Sequence, residues 1–94
     1  MDYNIIQGVC SLTRTGEDYN GTLPVKYTSY KDGGIYICKT DVSGTTDIFL
    51  NLNGIGAKLI LDFNGADASL SATAWYVFLY EASSDKFYVL TKGL

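Results

Sequence analysis

The stretch from Asp47 to Leu61, DIFLNLNGIGAKLIL, leaves little room for anything but a β-hairpin. Ile48, Leu50 and Leu52 alternate with Phe49, Asn51 and Asn53, which is the period of a strand. Asn53-Gly54 then opens a turn, because both residues tolerate the positive φ that tight hairpin turns require. Gly56 supplies a second permissive position, and Ala57-Lys58 leads into the apolar run Leu59-Ile60-Leu61.

No window sustains helical apolar spacing, and strand signals recur along the chain. The first runs from about Gly8 to Thr13, where Val9, Ser11 and Thr13 alternate with Cys10 and Leu12. Thr15 to Thr22 reads as a polar loop. Leu23 to Tyr30 reads as an edge strand, since Pro24 has no N–H to give to a ladder. Lys31-Asp32-Gly33-Gly34 is a turn, Ile35 to Thr40 a strand, and Asp41 to Thr46 a second turn. After the Asp47–Asn53 strand and its Leu59–Phe63 partner, Asn64-Gly65 breaks the pattern and Ala66 to Thr73 connects. Ala74 to Glu81 and Lys86 to Thr91 form a terminal hairpin across Ala82-Ser83-Ser84-Asp85. The expected fold is all-β: a small antiparallel sandwich or barrel-like domain built from hairpins. It spans residues 1–94 as a single domain, with residues 1–7 as a flexible N-terminal segment.

That terminal hairpin is apolar or aromatic on both faces, whereas a half-buried antiparallel strand alternates with polar residues. One face belongs to the core, and the other calls for a neighbouring subunit. The candidate interface residues are Trp75, Tyr76, Phe78, Tyr80, Phe87 and Tyr88. Composition agrees: 47% of residues are hydrophobic but only 18% are charged, and so short a chain builds a thin core. A homo-oligomer is expected.

Several functions are disfavoured. The net charge is −3, and the seven Lys and Arg are scattered, whereas a phosphate-binding face needs them clustered. No nucleic-acid partner is expected. No apolar run approaches the ~18 residues of a membrane span, and MDYNIIQGVCSL lacks the basic start of a secretion signal. Neither membrane insertion nor signal-directed secretion is therefore expected. The absence of His removes the commonest general base and metal ligand, and leaves a thiol nucleophile at Cys10 or Cys38 without its usual imidazole. No pair of carboxylates is placed across a cleft by the sequence. Asp62-Phe63-Asn64-Gly65-Ala66-Asp67 offers calcium-type oxygens, yet lacks EF-hand spacing and is equally an Asx turn. Asn20-Gly21-Thr22 is a glycosylation sequon that reads as a loop marker. No glycine-rich segment joins a strand to a helix as a nucleotide cradle would. The chain is expected not to be an enzyme and to need no cofactor. Cys10 and Cys38 read as buried thiols, with a disulfide as the alternative if neighbouring strands bring them together.

Leu50-Asn51-Leu52-Asn53-Gly54-Ile55-Gly56-Ala57-Lys58 resembles the hairpin of a small β-structured repeat found in bacteriophage fibre proteins. The motif residues are Asn51, Asn53, Gly54, Gly56, Ala57 and Lys58. Gly34-Ile35-Tyr36-Ile37 resembles the strand that precedes this hairpin in the repeat. Tyr80 to Phe87 looks like a longer-turned form of the hairpin that follows it. Leu59 stands where many repeats carry Pro, and Asp62-Phe63-Asn64-Gly65 where many show Lys-Asn-Gly. The resemblance implies a virion structural protein of a tail fibre, head fibre or related appendage, made in the host cytoplasm. It also implies a homotrimer that contacts other virion proteins and contributes to host attachment. The alternative is a small carbohydrate-binding module, in which Tyr19, Tyr27, Tyr30 or Trp75 stacks on a host-surface glycan. Asp32 to Cys38 also matches the D-x-G-x-Y-x-C pattern of a late immunoglobulin strand. In that fold the Trp lies between the two Cys, whereas Trp75 follows both, so the match is set aside.

Overall fold

Alternating burial organises the chain. In Ile35–Lys39 and Trp75–Glu81 every second side chain is buried, as a strand with one face on a core requires. The computed structural model describes residues 5–92, and the regular elements among them are all strands. They are β1 (Ile6–Ser11), β2 (Thr13–Thr15), β3 (Asp18–Gly21), β4 (Ile35–Lys39), β5 (Gly44–Thr45), β6 (Phe49–Leu52), β7 (Lys58–Leu61), β8 (Ser69–Leu70), β9 (Trp75–Glu81) and β10 (Lys86–Lys92). The all-β, barrel-like expectation holds. β5 and β8 pair as a small separate ribbon, and the other eight strands form one sheet in the order β1-β4-β9-β10-β7-β6-β3-β2.

The two ends of that order are consecutive in the chain. Only Leu12 separates β1 from β2. Its N–H continues the β1–β4 ladder by donating to Lys39 O at 2.8 Å, and its side chain is buried. One bent strand thus pairs with β4 through its first half and with β3 through its second. The bend carries the sheet most of the way round into a barrel, which removes most exposed edges. Gly21 faces this bend from β3. A Cβ there would sit 2.7 Å from Cys10 Sγ and 2.8 Å from Leu12 Cδ2.

The sheet is mixed rather than built from hairpins alone. β1 runs parallel to β4, β3 to β6, and β7 to β10. Two hairpins do form as read from the sequence, β6–β7 and β9–β10. Leu23 to Tyr30 is not a strand; residues 22–34 are irregular and fold against the core, where Leu23 is buried and Tyr27 and Tyr30 pack. Conversely, the expected loop from Thr15 to Thr22 holds β3. The segment 1–7 divides: Ile6 and Gln7 belong to β1 and Gln7 is buried, while residues 1–4 lie outside the described residues.

The barrel interior is aromatic. Tyr19, Tyr36, Phe78 and Phe87 are fully buried among Ile48, Leu50, Leu52 and Ile60. Phe87 lies at the centre, with ring centroids of Tyr30, Tyr80 and Tyr36 at 4.9, 5.3 and 5.5 Å. These are edge-on or tilted contacts, the geometry that the ring quadrupole favours.

Candidate functional site

The hairpin motif works as an internal fastener. Asn53 and Gly54 take φ values of 56° and 68°, and Ile55 N–H donates to Leu52 O at 3.0 Å. This is the two-residue turn with positive φ at both central positions. Asn51 Oδ1 accepts from Gly56 N–H at 3.1 Å. Asn53 reaches further: its Oδ1 accepts from Leu23 N–H at 2.7 Å and its Nδ2 donates to Val25 O at 2.9 Å. Gly56 O accepts the Tyr30 hydroxyl at 2.7 Å. Lys58 Nζ pairs with Asp85 Oδ2 at 2.9 Å, linking the hairpin to the β9–β10 turn. Ala57 is exposed.

Outside the barrel the two halves of the sheet differ. On β1, β4, β9 and β10 the outward residues fall into register as two rows. One row is Val9, Ile37, Val77 and Thr91, and the other is Ile6, Ile35, Leu79 and Tyr88. Trp75 lies beside Lys39 in a third row. Ile6 is 51% exposed and Val9 48%. Strands about 4.8 Å apart and residues about 3.3 Å apart give this wall a footprint on the order of 300 Å². Exposed apolar patches of about that size are often functional. Lys39, Glu81 and Lys86 stand at its margin.

On β2, β3 and β6 the outward row is polar: Thr13, Asn20 and Asn51. With Ser11, Gly21, Thr22, Asn53 and Gly54 they line an open cleft of about 390 Å³. A second cleft of about 380 Å³ shares Thr22 and Asn53 and adds Lys26, Tyr27 and Thr28. Asn20 Nδ2 makes two long bonds, to Thr13 O and Asp18 O at 3.4 and 3.3 Å. Among the described residues, Asn51 bonds through its Oδ1 alone. Asn20 Oδ1 and Asn51 Nδ2 therefore remain open to a ligand or to water. Such a row of amides and hydroxyls beside one tyrosine is chemistry that meets a polyhydroxylated ligand.

No family model matches this chain. No curated protein is similar enough to it to count as a relative.

The six aromatic interface candidates separate by side. Tyr76, Phe78, Tyr80 and Phe87 point into the core and are at most 8% exposed, so surface contact falls to Trp75 and Tyr88. The hairpin does carry apolar residues on both faces, but the outward partners are the aliphatic alternates Val77 and Leu79 and their neighbours on β4 and β1. Alternation within Trp75–Tyr80 carries that signal; the order of the strands does not appear in it.

The sugar-stacking candidates also separate. Tyr19 is fully buried, donates its hydroxyl to Val42 O at 2.8 Å and lies under the Arg14 guanidinium, 5.5 Å from its ring centroid. Tyr30 is a core lid whose hydroxyl donates to Gly56 O and accepts from Leu52 N–H; burial pushes its pKa to about 12. Trp75 belongs to the apolar wall. Of the four, Tyr27 lines the second cleft, which adjoins the polar one through Thr22 and Asn53. Asp62 Oδ1 accepts from the N–H groups of Asn64 and Ala66 at 2.8 and 2.9 Å, the Asx-turn arrangement. The turn carries Phe63 at 73% exposure.

Proposed function

We propose that this chain is a structural module of a phage fibre or appendage, assembled as a homotrimer through the wall of β1, β4, β9 and β10. The observation that carries this reading is the registered apolar face on one half of the barrel. An isolated module would leave it in water. Burying an aliphatic side chain contributes about 1.5–3 kcal/mol, and several lie side by side here. The hairpin resemblance supplies the virion setting and the preference for three copies, and contacts to other virion proteins follow from that setting. The polar half of the barrel then faces outward, where threefold repetition raises avidity for repeated host-surface groups.

Light scattering after size exclusion tests the assembly. The full chain should elute at the mass of three copies, and Val77→Lys should elute as a monomer with an unchanged circular dichroism spectrum. A wild-type monomer at every concentration would overturn the proposal.

A second reading has its own observation: two adjoining clefts that share Thr22 and Asn53, one lined by Asn20 and Asn51 and the other by Tyr27. As a carbohydrate-binding module the chain would stack a sugar on Tyr27 and hydrogen-bond it through the two amides. Binding to a panel of host-surface glycans that is lost in Tyr27→Ala would favour this reading; binding unaffected by Tyr27→Ala would exclude it.

A further inference from the structure

Cys10 and Cys38 are register partners on adjacent parallel strands, and both side chains point inward. The thiols share a hydrogen bond, Cys10 S–H to Cys38 Sγ, at 3.7 Å. Neighbouring strands lie about 4.8 Å apart, inside the Cα separation of roughly 4.4–6.8 Å that a disulfide spans. The two thiols differ in access: Cys10 is 9% exposed and Cys38 is fully buried. Gly21 keeps the space beside Cys10 Sγ free of a side chain. From this geometry we infer that Cys10 and Cys38 form a latent disulfide site, closed by a small disulfide oxidant, that locks the strand at which the barrel closes.

The reaction begins at the more accessible sulfur. A thiolate at Cys10 accepts a hydrogen bond from Cys38 S–H, which holds Cys10 below the ordinary thiol value against the opposing effect of burial. The same bond, together with burial, holds the proton on Cys38. The Cys10 thiolate attacks one sulfur of the oxidant and expels one small thiolate, leaving a mixed disulfide at Cys10. Cys38 then attacks Cys10 Sγ, its proton passing to the second departing thiolate. In sum, two protein thiols lose two protons and two electrons, and one small disulfide takes up both to become two thiols. A reducing compartment keeps the site open and an oxidising one closes it. The bond would join β1 to β4 across 28 positions, restricting the unfolded chain and fixing the first half of the bent strand. This site is independent of the assembly and ligand readings above.

The test uses the folded full chain and cystamine, followed by intact mass without reductant and by alkylation in denaturant. The expected product has lost two hydrogens, retains no cysteamine and offers no thiol to the alkylating agent. Its melting midpoint should rise by on the order of ten degrees. Cys38→Ala should instead retain one cysteamine on Cys10. Three results would overturn the inference: wild-type protein that keeps cysteamine on Cys10, chains cross-linked to one another, or two free thiols that oxidise only after unfolding. A lowered or unchanged melting midpoint of the oxidised protein would overturn the locking role.

Discussion

The side-chain carbonyl of Asn53 accepts a 2.7 Å hydrogen bond from the backbone N–H of Leu23, thirty positions earlier. The same amide donates to Val25 O, so one turn residue anchors an irregular segment that has no ladder of its own. Removing both bonds should cost about 1–3 kcal/mol. Alanine adds the strain of a φ of 56°, a region that asparagine tolerates better. Urea unfolding should therefore rank Asn53→Ala as least stable, with Asn53→Asp between it and wild type because aspartate keeps the acceptor and loses the donor. Equal midpoints for all three would remove the anchoring role.

Tyr30 makes a pH prediction. Its phenol has a raised pKa in the folded chain, about 12 against an ordinary 10, mainly because burial disfavours the phenolate. Tyr80 is also held at about 12, first by the hydrogen bond from its hydroxyl to the Asp85 carboxylate. A folded pKa above the unfolded value gives stability that is complete below pH 10. As pH rises from 10 to 12 the unfolded chain ionises first, so that stability is lost. Tyrosinate absorbance should lag behind that of a free tyrosine peptide in this window and then appear together with unfolding. Tyr30→Phe should reduce the lag, and should also lower stability at neutral pH by about 1–3 kcal/mol through loss of the bonds to Gly56 O and Leu52 N–H.

Local features of this fold are legible from the sequence where the cause is local. The β6–β7 hairpin follows from Asn53-Gly54 and its flanking alternation, and the β9–β10 hairpin from two apolar runs around a short polar turn. What the sequence hides is set by distant partners. β3 is a strand because Tyr19 fills the core and β6 runs parallel beside it; its own residues, DYNG, carry turn chemistry. Leu23 to Tyr30 has strand composition but finds no neighbour, and its backbone is held instead by Asn53. The polar cleft is hidden for the same reason. Asn51 reads as part of a hairpin motif, while Thr13 and Asn20 become its neighbours only through a parallel pairing that no local pattern announces.

Gly21 offers a test of the barrel bend. It lies where a Cβ would press on Cys10 Sγ, Leu12 Cδ2 and Leu52 Cδ2 at 2.7, 2.8 and 3.1 Å. Three contacts from both sides of the sheet position cannot all give way without shifting the bend. Gly21→Ala should destabilise the fold by about 1–3 kcal/mol, the usual cost of overpacking a filled core. At Gly16 and Gly65 an added methyl would meet no neighbour, but the φ values are 63° and 86°. Alanine there should act through backbone strain alone and by less, as denaturation midpoints would reveal.

Val77 and Phe78 are consecutive residues with opposite tasks. Phe78 is fully buried, with Phe87 and Tyr76 rings at 6.5 and 6.2 Å; Val77 stands on the outer wall between Ile37 and Thr91. Phe78→Ala leaves a cavity among aromatic rings and should cost about 3–5 kcal/mol. Val77→Ser removes two methyl groups from a wall that is open to water in the monomer, so its effect on monomer unfolding should stay within about 0.5–1 kcal/mol. If the wall is where copies meet, Val77→Ser should nevertheless weaken association, visible as a lower average mass on dilution. Phe78→Ala should instead lower the unfolding midpoint of monomer and assembly alike. A Val77 variant that changes neither mass nor stability would place the contact between copies elsewhere on the barrel.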